Sequence, residues 1–149
     1  MNTLIYGQDE RLLQWAFERM AFTARSDAKA IGWGDEATGT LKAVVIWDGF
    51  SECDCNIHVC SDESGHWLRR PLLIAAFSHP FLQWERRRVT SLIPENNTNA
   101  IRFNRHLGFK QEGICRNAAP DGNIILMGML REECRFILQN SGDNRNGQE

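Results

Sequence analysis

From Val89 to Gly113 the chain reads VTSLIPENNTNAIRFNRHLGFKQEG, and this stretch carries its own punctuation. Val89 to Ile93 is a β-prone run that Pro94 stops, since proline offers no amide to a strand ladder. The chain turns at Glu95-Asn96-Asn97, and Asn97 or Thr98 can cap a following helix by accepting from its first amides. Ala100, Ile101, Phe103 and Leu107 recur at helical spacing while Arg102, Arg105 and His106 face the other way. Gly108 supplies the left-handed residue that ends the helix, and Phe109 opens a second strand. The predicted unit is strand, polar turn, short helix, strand.

Asn104 breaks the pattern, because the helical period puts it on the apolar side between Ala100 and Leu107. A buried amide there needs hydrogen-bond partners. Two roles meet that need: a bond to nearby backbone, or, together with Asn97, contact with a polar ligand lying beside the helix.

The rest of the chain supports a layered domain. Thr3 to Tyr6 reads as a first strand ending at Gly7, and Asp9 can cap a helix whose inner stripe is Leu13, Ala16, Phe17 and Met20. Trp15 falls off that stripe. From Phe22 to Lys29 a loop or short helix is expected. Ala30 to Trp33 and Leu41 to Trp47 read as strands joined by the turn-rich segment Asp35 to Thr40. In the third run, Cys53 to Cys60, alternation predicts Cys53, Cys55, Ile57 and Val59 in the core, with Asp54, Asn56, His58 and Cys60 on a polar cleft face. A helix is expected from about Trp67 to Phe77 with Pro71 in its first turn, and Pro80 restarts or kinks the chain. Phe109 to Arg116 and Asn123 to Leu130 form a hairpin through Ala119-Pro120-Asp121-Gly122. Strands outnumber helices, so the fold class is α/β (α+β) with a mixed, mostly antiparallel sheet of about six or seven strands. One domain is expected over 1–138, with 139–149 a flexible tail.

Composition limits the functions. With 149 residues, 42% hydrophobic, 24% charged and a net charge of −2, the chain has the size of one domain and no electrostatic footprint for nucleic acid. Its five cysteines are an odd number, and no signal-like segment opens the chain, so a reducing cytoplasm is expected. No run is long enough to span a bilayer. Cys53, Cys55, His58 and Cys60 fail as zinc ligands because alternation sends them to opposite faces, so no metal is expected. A loop with Gly65 leading into a helix at Arg69-Arg70 is a physically sound anion site, through free amides and the helix dipole.

The pattern Asn97…Ala100-Ile101-Arg102…Leu107-Gly108-Phe109…Glu112-Gly113…Arg116 resembles the last third of the GCN5-related N-acetyltransferases (GNATs). It is similar to the branch with the ribosomal-protein alanine acetyltransferases, and to small bacteriophage-encoded GNAT-like proteins. The resemblance is strong over 89–135 and weaker over 41–88. It implies that the strand ending at Cys60 and the strand beginning at Val89 run parallel and splay apart around the pantetheine arm of acetyl-CoA. It places a thioester-binding backbone amide near Val59 and Cys60, and a pyrophosphate loop over Gly65, His66, Trp67, Leu68, Arg69 and Arg70. That loop departs from the family pattern at Ser64, Trp67 and Arg69. Asn97 and Asn104 are further expected contacts of the coenzyme.

Given that resemblance, the general base is sought on the polar face of the third strand. His58 has the best ordinary proton affinity for the task, while Asp54 or Glu52 could act through water. A structural strand histidine is the competing role for His58. Many family members carry a tyrosine, the general acid, where this chain has Asn104, whose amide can donate a hydrogen bond but cannot supply a proton like a phenol. His106 faces outward and is a poor catalytic candidate; Cys60 as an acyl-carrying nucleophile lacks an activating partner.

The expected function is acetyl-CoA-dependent N-acetyl transfer to a primary amine: a protein N-terminus, a lysine, a small amine or a phage- or host-specific target. Its expected setting is the cytoplasm, the host's if phage-encoded, with no membrane or nucleic-acid partner; a homodimer is left open. The alternative is a non-catalytic binding module of the same fold.

Overall fold

The computed structural model describes residues 1–20, 24–64 and 69–137. Along the chain these are β1 (Thr3–Ile5), α1 (Asp9–Met20), β2 (Lys29–Asp35), β3 (Thr40–Asp48), β4 (Asn56–Ser61), α2 (Arg70–Ser78), β5 (Arg88–Pro94), α3 (Thr98–Leu107), β6 (Lys110–Ala119) and β7 (Gly122–Leu130). A π-helical turn, His79–Gln83, continues from α2, and a 3-10 turn spans Arg131–Glu133. These are seven strands and flanking helices of a mixed α/β fold, with β4 and β5 its parallel pair. The expected class is borne out. The residues cluster into two compact units, one of Met1–Ser51 with Ile57–Ala76, the other of Glu52–Asn56 with Phe77 onward.

In the first unit β1, β2 and β3 pair antiparallel. β3 is buried along nearly its whole length because both of its faces are covered. On one face Val44, Ile46, Ala30 and Ile5 meet Leu12 and Ala16 of α1. On the other, Trp47 donates its indole N–H to the Ala76 carbonyl of α2 at 3.1 Å. Lys42 is the extra residue of a bulge between Trp33 opposite Ala43 and Gly34 opposite Leu41. Leu41 thereby joins the core on the α1 side.

Helix α1 presents most of its expected stripe: Ala16 is buried, and Leu13 and Met20 pack against the same cluster. The correction is that Leu12 is buried and Trp15 packs there too, while Phe17 is half exposed. Asp9 is the first helical residue rather than the cap, since the first helical bond runs from Leu12 N–H to the Gln8 carbonyl at 2.9 Å. Pro71 does sit in the first turn of α2, where its missing amide costs no hydrogen bond.

In the second unit β7 lies between β5 and β6, antiparallel to both. Asn56 stands opposite Thr90 in the parallel register, and the Thr90 amide donates to the Cys55 carbonyl at 2.9 Å. Cys53 is not part of a strand: its carbonyl takes the amides of Arg87 and Arg88, so the chain from Cys53 to Cys55 is a loop that enters β4 only at Asn56. The core includes an aromatic group in which Phe77 stacks on Phe136 at 5.3 Å and packs against Phe81 and Phe109. Helix α3 begins and ends as its sequence demands, with Asn97 Oδ1 accepting from the Ala100 amide at 3.2 Å and Gly108 at φ 118° closing it. The β6–β7 hairpin turns at Pro120-Asp121, as expected, with Ala119 opposite Gly122. The expectations for 22–23, for the start of a helix before Arg69 and for 139–149 lie outside the described residues.

Candidate active site

His58 stands on β4 and is partly buried; the sequence offered it no partner. The structure supplies one from the end of β3. His58 Nε2 lies 3.0 Å from Asp48 Oδ1, and the Asp48 side chain is 3% exposed. The second oxygen, Asp48 Oδ2, accepts the Arg25 amide at 3.0 Å. A side chain this buried needs polar partners, and here one oxygen has a backbone donor and the other a ring nitrogen within hydrogen-bond distance. Nearby, Asp27 accepts the amides of Phe50 and Gly49 at 2.8 and 3.0 Å, and those two bonds hold its carboxyl below the usual carboxylate range. Two aspartates thus fasten the loop before β2 to the end of β3, within the first unit, beside the histidine.

Asp48 is the residue that sequence reasoning missed. Its signal was an acidic residue closing the apolar run Ala43 to Trp47, just before the Gly49 break. Ten residues separate it from His58, and strand alternation within one segment says nothing about a neighbour on another strand.

The predicted faces of β4 hold only at its start. Ile57 is buried and His58 partly exposed, but Val59 is 36% exposed and Cys60 only 4%. The expectation that Val59 faces the core and Cys60 the cleft is corrected: Cys60 packs into the cluster of Val44, Ile46 and Leu12. Burial pushes its thiol up to about 11, which removes it as a nucleophile near neutral pH.

At the start of α2, Arg69 and Arg70 are exposed, and the Arg69 carbonyl accepts from Leu73 N–H at 3.1 Å. Arg69 therefore occupies the capping position and the first-turn amides follow it. Between β4 and α2, Asp62 is held by Lys42 Nζ at 3.5 Å and by the Ser64 amide at 3.0 Å. Gly65, His66, Trp67 and Leu68 lie outside the described residues.

In the second unit Asn104 Nδ2 donates to Ser91 Oγ at 2.7 Å. The amide expected to bond nearby backbone finds its partner instead in a buried side-chain hydroxyl on β5, a second residue the sequence hid inside an apolar run. Asn97 spends its side-chain oxygen on the α3 cap. Asp54, the alternative base, accepts the Thr90 hydroxyl at 2.8 Å and lies 3.6 Å from Arg88 Nε; Arg88 in turn pairs with Glu112 at 2.8 Å. Asp54 is thus tied into a charged network, whereas His58 has the buried Asp48 carboxylate beside its ring. His106 is exposed on the outer face of α3. Among the described residues no group of three His, Cys, Asp or Glu side chains could hold a metal, and no helix is long and apolar enough to cross a membrane.

No family model matches the chain. Solved structures do. A point variant of the spermidine N-acetyltransferase SpeG from Vibrio cholerae matches with a TM-score of 0.75 at 12% identity, over 93% of this chain and 98% of that one. The chain has the GNAT fold. The Vibrio cholerae spermidine/spermine N-acetyltransferase in complex with manganese ions matches at TM-score 0.72 and 12% identity, over 88% and 93% of the two chains. A dodecameric form of the Vibrio cholerae enzyme matches at 0.71 and 12%, over 88% and 94%. At such identities the likeness is one of fold, and what this GNAT fold does rests on its own residues.

Proposed function

We propose that the chain is an acetyl-CoA-dependent N-acetyltransferase that passes the acetyl group directly to a primary amine. His58 takes the proton that the attacking amine must lose. The observation that carries this reading is the His58–Asp48 pair: a partly exposed imidazole on a strand, backed by a buried carboxylate. The GNAT fold raises the prior by analogy.

Acetyl-CoA, when bound, supplies the activated acyl group. Two features of the structure fit it: exposed arginines at Arg69 and Arg70, and the first-turn amides of a nine-residue α2. Helix N-termini and guanidinium groups both favour phosphate. We assign these residues to the coenzyme's anionic end. Val59, exposed on β4, is the expected backbone donor toward the thioester oxygen. The amine's nitrogen forms its bond to the acetyl carbon as the carbon–sulfur bond breaks; the nitrogen's proton goes to His58 and the sulfur leaves with the electron pair.

A small polyamine is the first acceptor to try, because the matching structures are spermidine acetyltransferases. An alanine-initiated peptide is the second, because the sequence resembles the ribosomal-protein alanine acetyltransferases. Self-association belongs to the same proposal, since one matching enzyme is a dodecamer. The test is a thermal shift with acetyl-CoA, followed by mass spectrometry of spermidine and of the peptide after incubation. A ligand bound only by the native state at a hundred times its Kd raises stability by about 2.7 kcal/mol. No shift at millimolar coenzyme would instead favour a binding module that keeps the fold without the reaction.

A further inference from the structure

We propose that the outer edge of β6 is the surface through which two copies of the chain pair, antiparallel and about a two-fold axis at Ile114. This rests on the self-association proposed above and gives it a surface.

β6 is the last strand of the seven-stranded sheet, and among the described residues only β7 pairs with it. Eight of its ten residues are exposed. An edge of that length is a template for another strand, and chains that avoid such pairing guard it with proline, lysine or irregular backbone. Here the guards stand toward the ends. The ladder with β7 is irregular between Gln111 and Gly113 and again between Cys115 and Ala119, and Lys110 opens the strand. Between them Gly113-Ile114-Cys115 pairs regularly, carries no charge and contains no proline.

Two features select a second copy as the occupant. The first is a row of isoleucines. Ile93 on β5 stands opposite Ile125 on β7, and Ile125 stands opposite Ile114. Residues opposite one another across a ladder share a sheet face. Ile93 and Ile125 are 6% and 8% exposed, whereas Ile114 is 54% exposed. The apolar row runs out to the edge and ends there in water. A two-fold axis at Ile114 sets the same residue of the second copy against it and continues the row into that copy, which removes apolar area from water on both sides.

The second feature is charge. Glu112 precedes the regular segment and Arg116 follows it, both exposed. Antiparallel pairing about Ile114 brings each Glu112 across from Arg116 of the other copy. Parallel pairing in register would set like charges opposite, which destabilises a ladder. Glu112 keeps its bond to Arg88 within its own chain, and a carboxylate has lone pairs for a second guanidinium. The edge is thus complementary to itself when antiparallel and repels itself when parallel.

The test reads oligomeric state by light scattering after size-exclusion chromatography, over a concentration series. The wild type should contain dimers, alone or as the unit of a larger assembly. Ile114→Lys, checked for an intact fold by circular dichroism, should raise the dimer dissociation constant about tenfold or more, which is about 1.4 kcal/mol. Arg116→Glu, which sets acidic side chains across from each other, should weaken the dimer too. For the register, Ile114→Cys combined with Cys115→Ser should form a covalent dimer on oxidation with diamide, since facing residues have Cβ atoms about 4.5–5.5 Å apart. In the wild type Cys115 would face Gly113 and should not link. A wild type that stays monomeric, whether residues 138–149 cover the edge or nothing does, would overturn the inference and self-association with it; acetyl transfer by that monomer would leave the enzyme standing. Dimers of unchanged affinity in both Ile114→Lys and Arg116→Glu would overturn this inference alone. A wild-type disulfide through Cys115 would overturn the axis at Ile114.

Discussion

Asn104 Nδ2 and Ser91 Oγ, 2.7 Å apart, tie helix α3 to strand β5 through a part-buried pair of side chains. Ser91 is 7% exposed, so truncating its partner strands a buried hydroxyl. Asn104→Ala should cost about 1–3 kcal/mol in denaturant unfolding. Ser91→Ala combined with Asn104→Leu should recover part of that loss, because removing both polar groups removes the desolvation penalty. If Asn104 also touches the coenzyme, as its sequence position suggests, Asn104→Ala raises the acetyl-CoA Kd as well, read by calorimetry.

Gly34 and Gly128 both lie in strands but should respond differently to alanine. A Cβ on Gly34 would collide with the Thr40 carbonyl oxygen and come within 2.9 Å of Leu41 Cα, backbone atoms locked in the bulge. Gly34→Ala should therefore cost about 1–3 kcal/mol or more, through forced backbone shifts. A Cβ on Gly128 would first meet the ends of Arg88 and Glu112, which can swing away. That variant should lose no more than the partly exposed ion pair, about 0–1 kcal/mol. Equal losses by thermal melts would contradict this account.

Gly108 closes α3 at φ 118°, with its amide donating to the carbonyls of Asn104 and Arg105. Gly108→Ala should destabilise by about 1–2 kcal/mol, since an L side chain is strained in the left-handed region. A melting temperature equal to wild type would mean that the helix ends in another conformation.

Cys60 predicts a pH dependence. Burial raises its thiol to about 11, whereas the unfolded chain ionises a cysteine near 8.5. The stabilisation is fully present below the unfolded value and declines as pH rises toward the folded one. Wild-type stability should fall relative to Cys60→Ala between about pH 8.5 and 11. In the native protein at pH 8, iodoacetamide should modify the exposed Cys115 and spare Cys60; the reverse order by peptide mass mapping would refute the burial.

The parts of the fold that were legible in the sequence are those built by local chemistry. Asn97 as cap, Gly108 as terminator, Pro71 in a first turn and the Pro120-Asp121 hairpin all follow from what one residue does to its own backbone. The face of α1 was legible only in part. Leu13, Ala16 and Met20 do pack on the core, but Leu12 and Phe17 satisfy the helical period equally well, and only the sheet beneath buries Leu12 and leaves Phe17 half exposed. Likewise the run Cys53 to Cys60 alternates well enough to be read as one strand. Its first three residues instead form a loop, with the Cys53 carbonyl engaged by Arg87 and Arg88, and Cys60 is drawn into the core of its unit.

The sequence by itself determined the order of strands and helices, their caps and turns, and His58 as the histidine worth watching, because these depend on periodicity and on the chemistry of single residues. Only the tertiary structure decided what His58 and Asn104 touch. Asp48 and Ser91 reach them from other strands, and a hydrogen bond between elements depends on distance in space, which no pattern along one segment records.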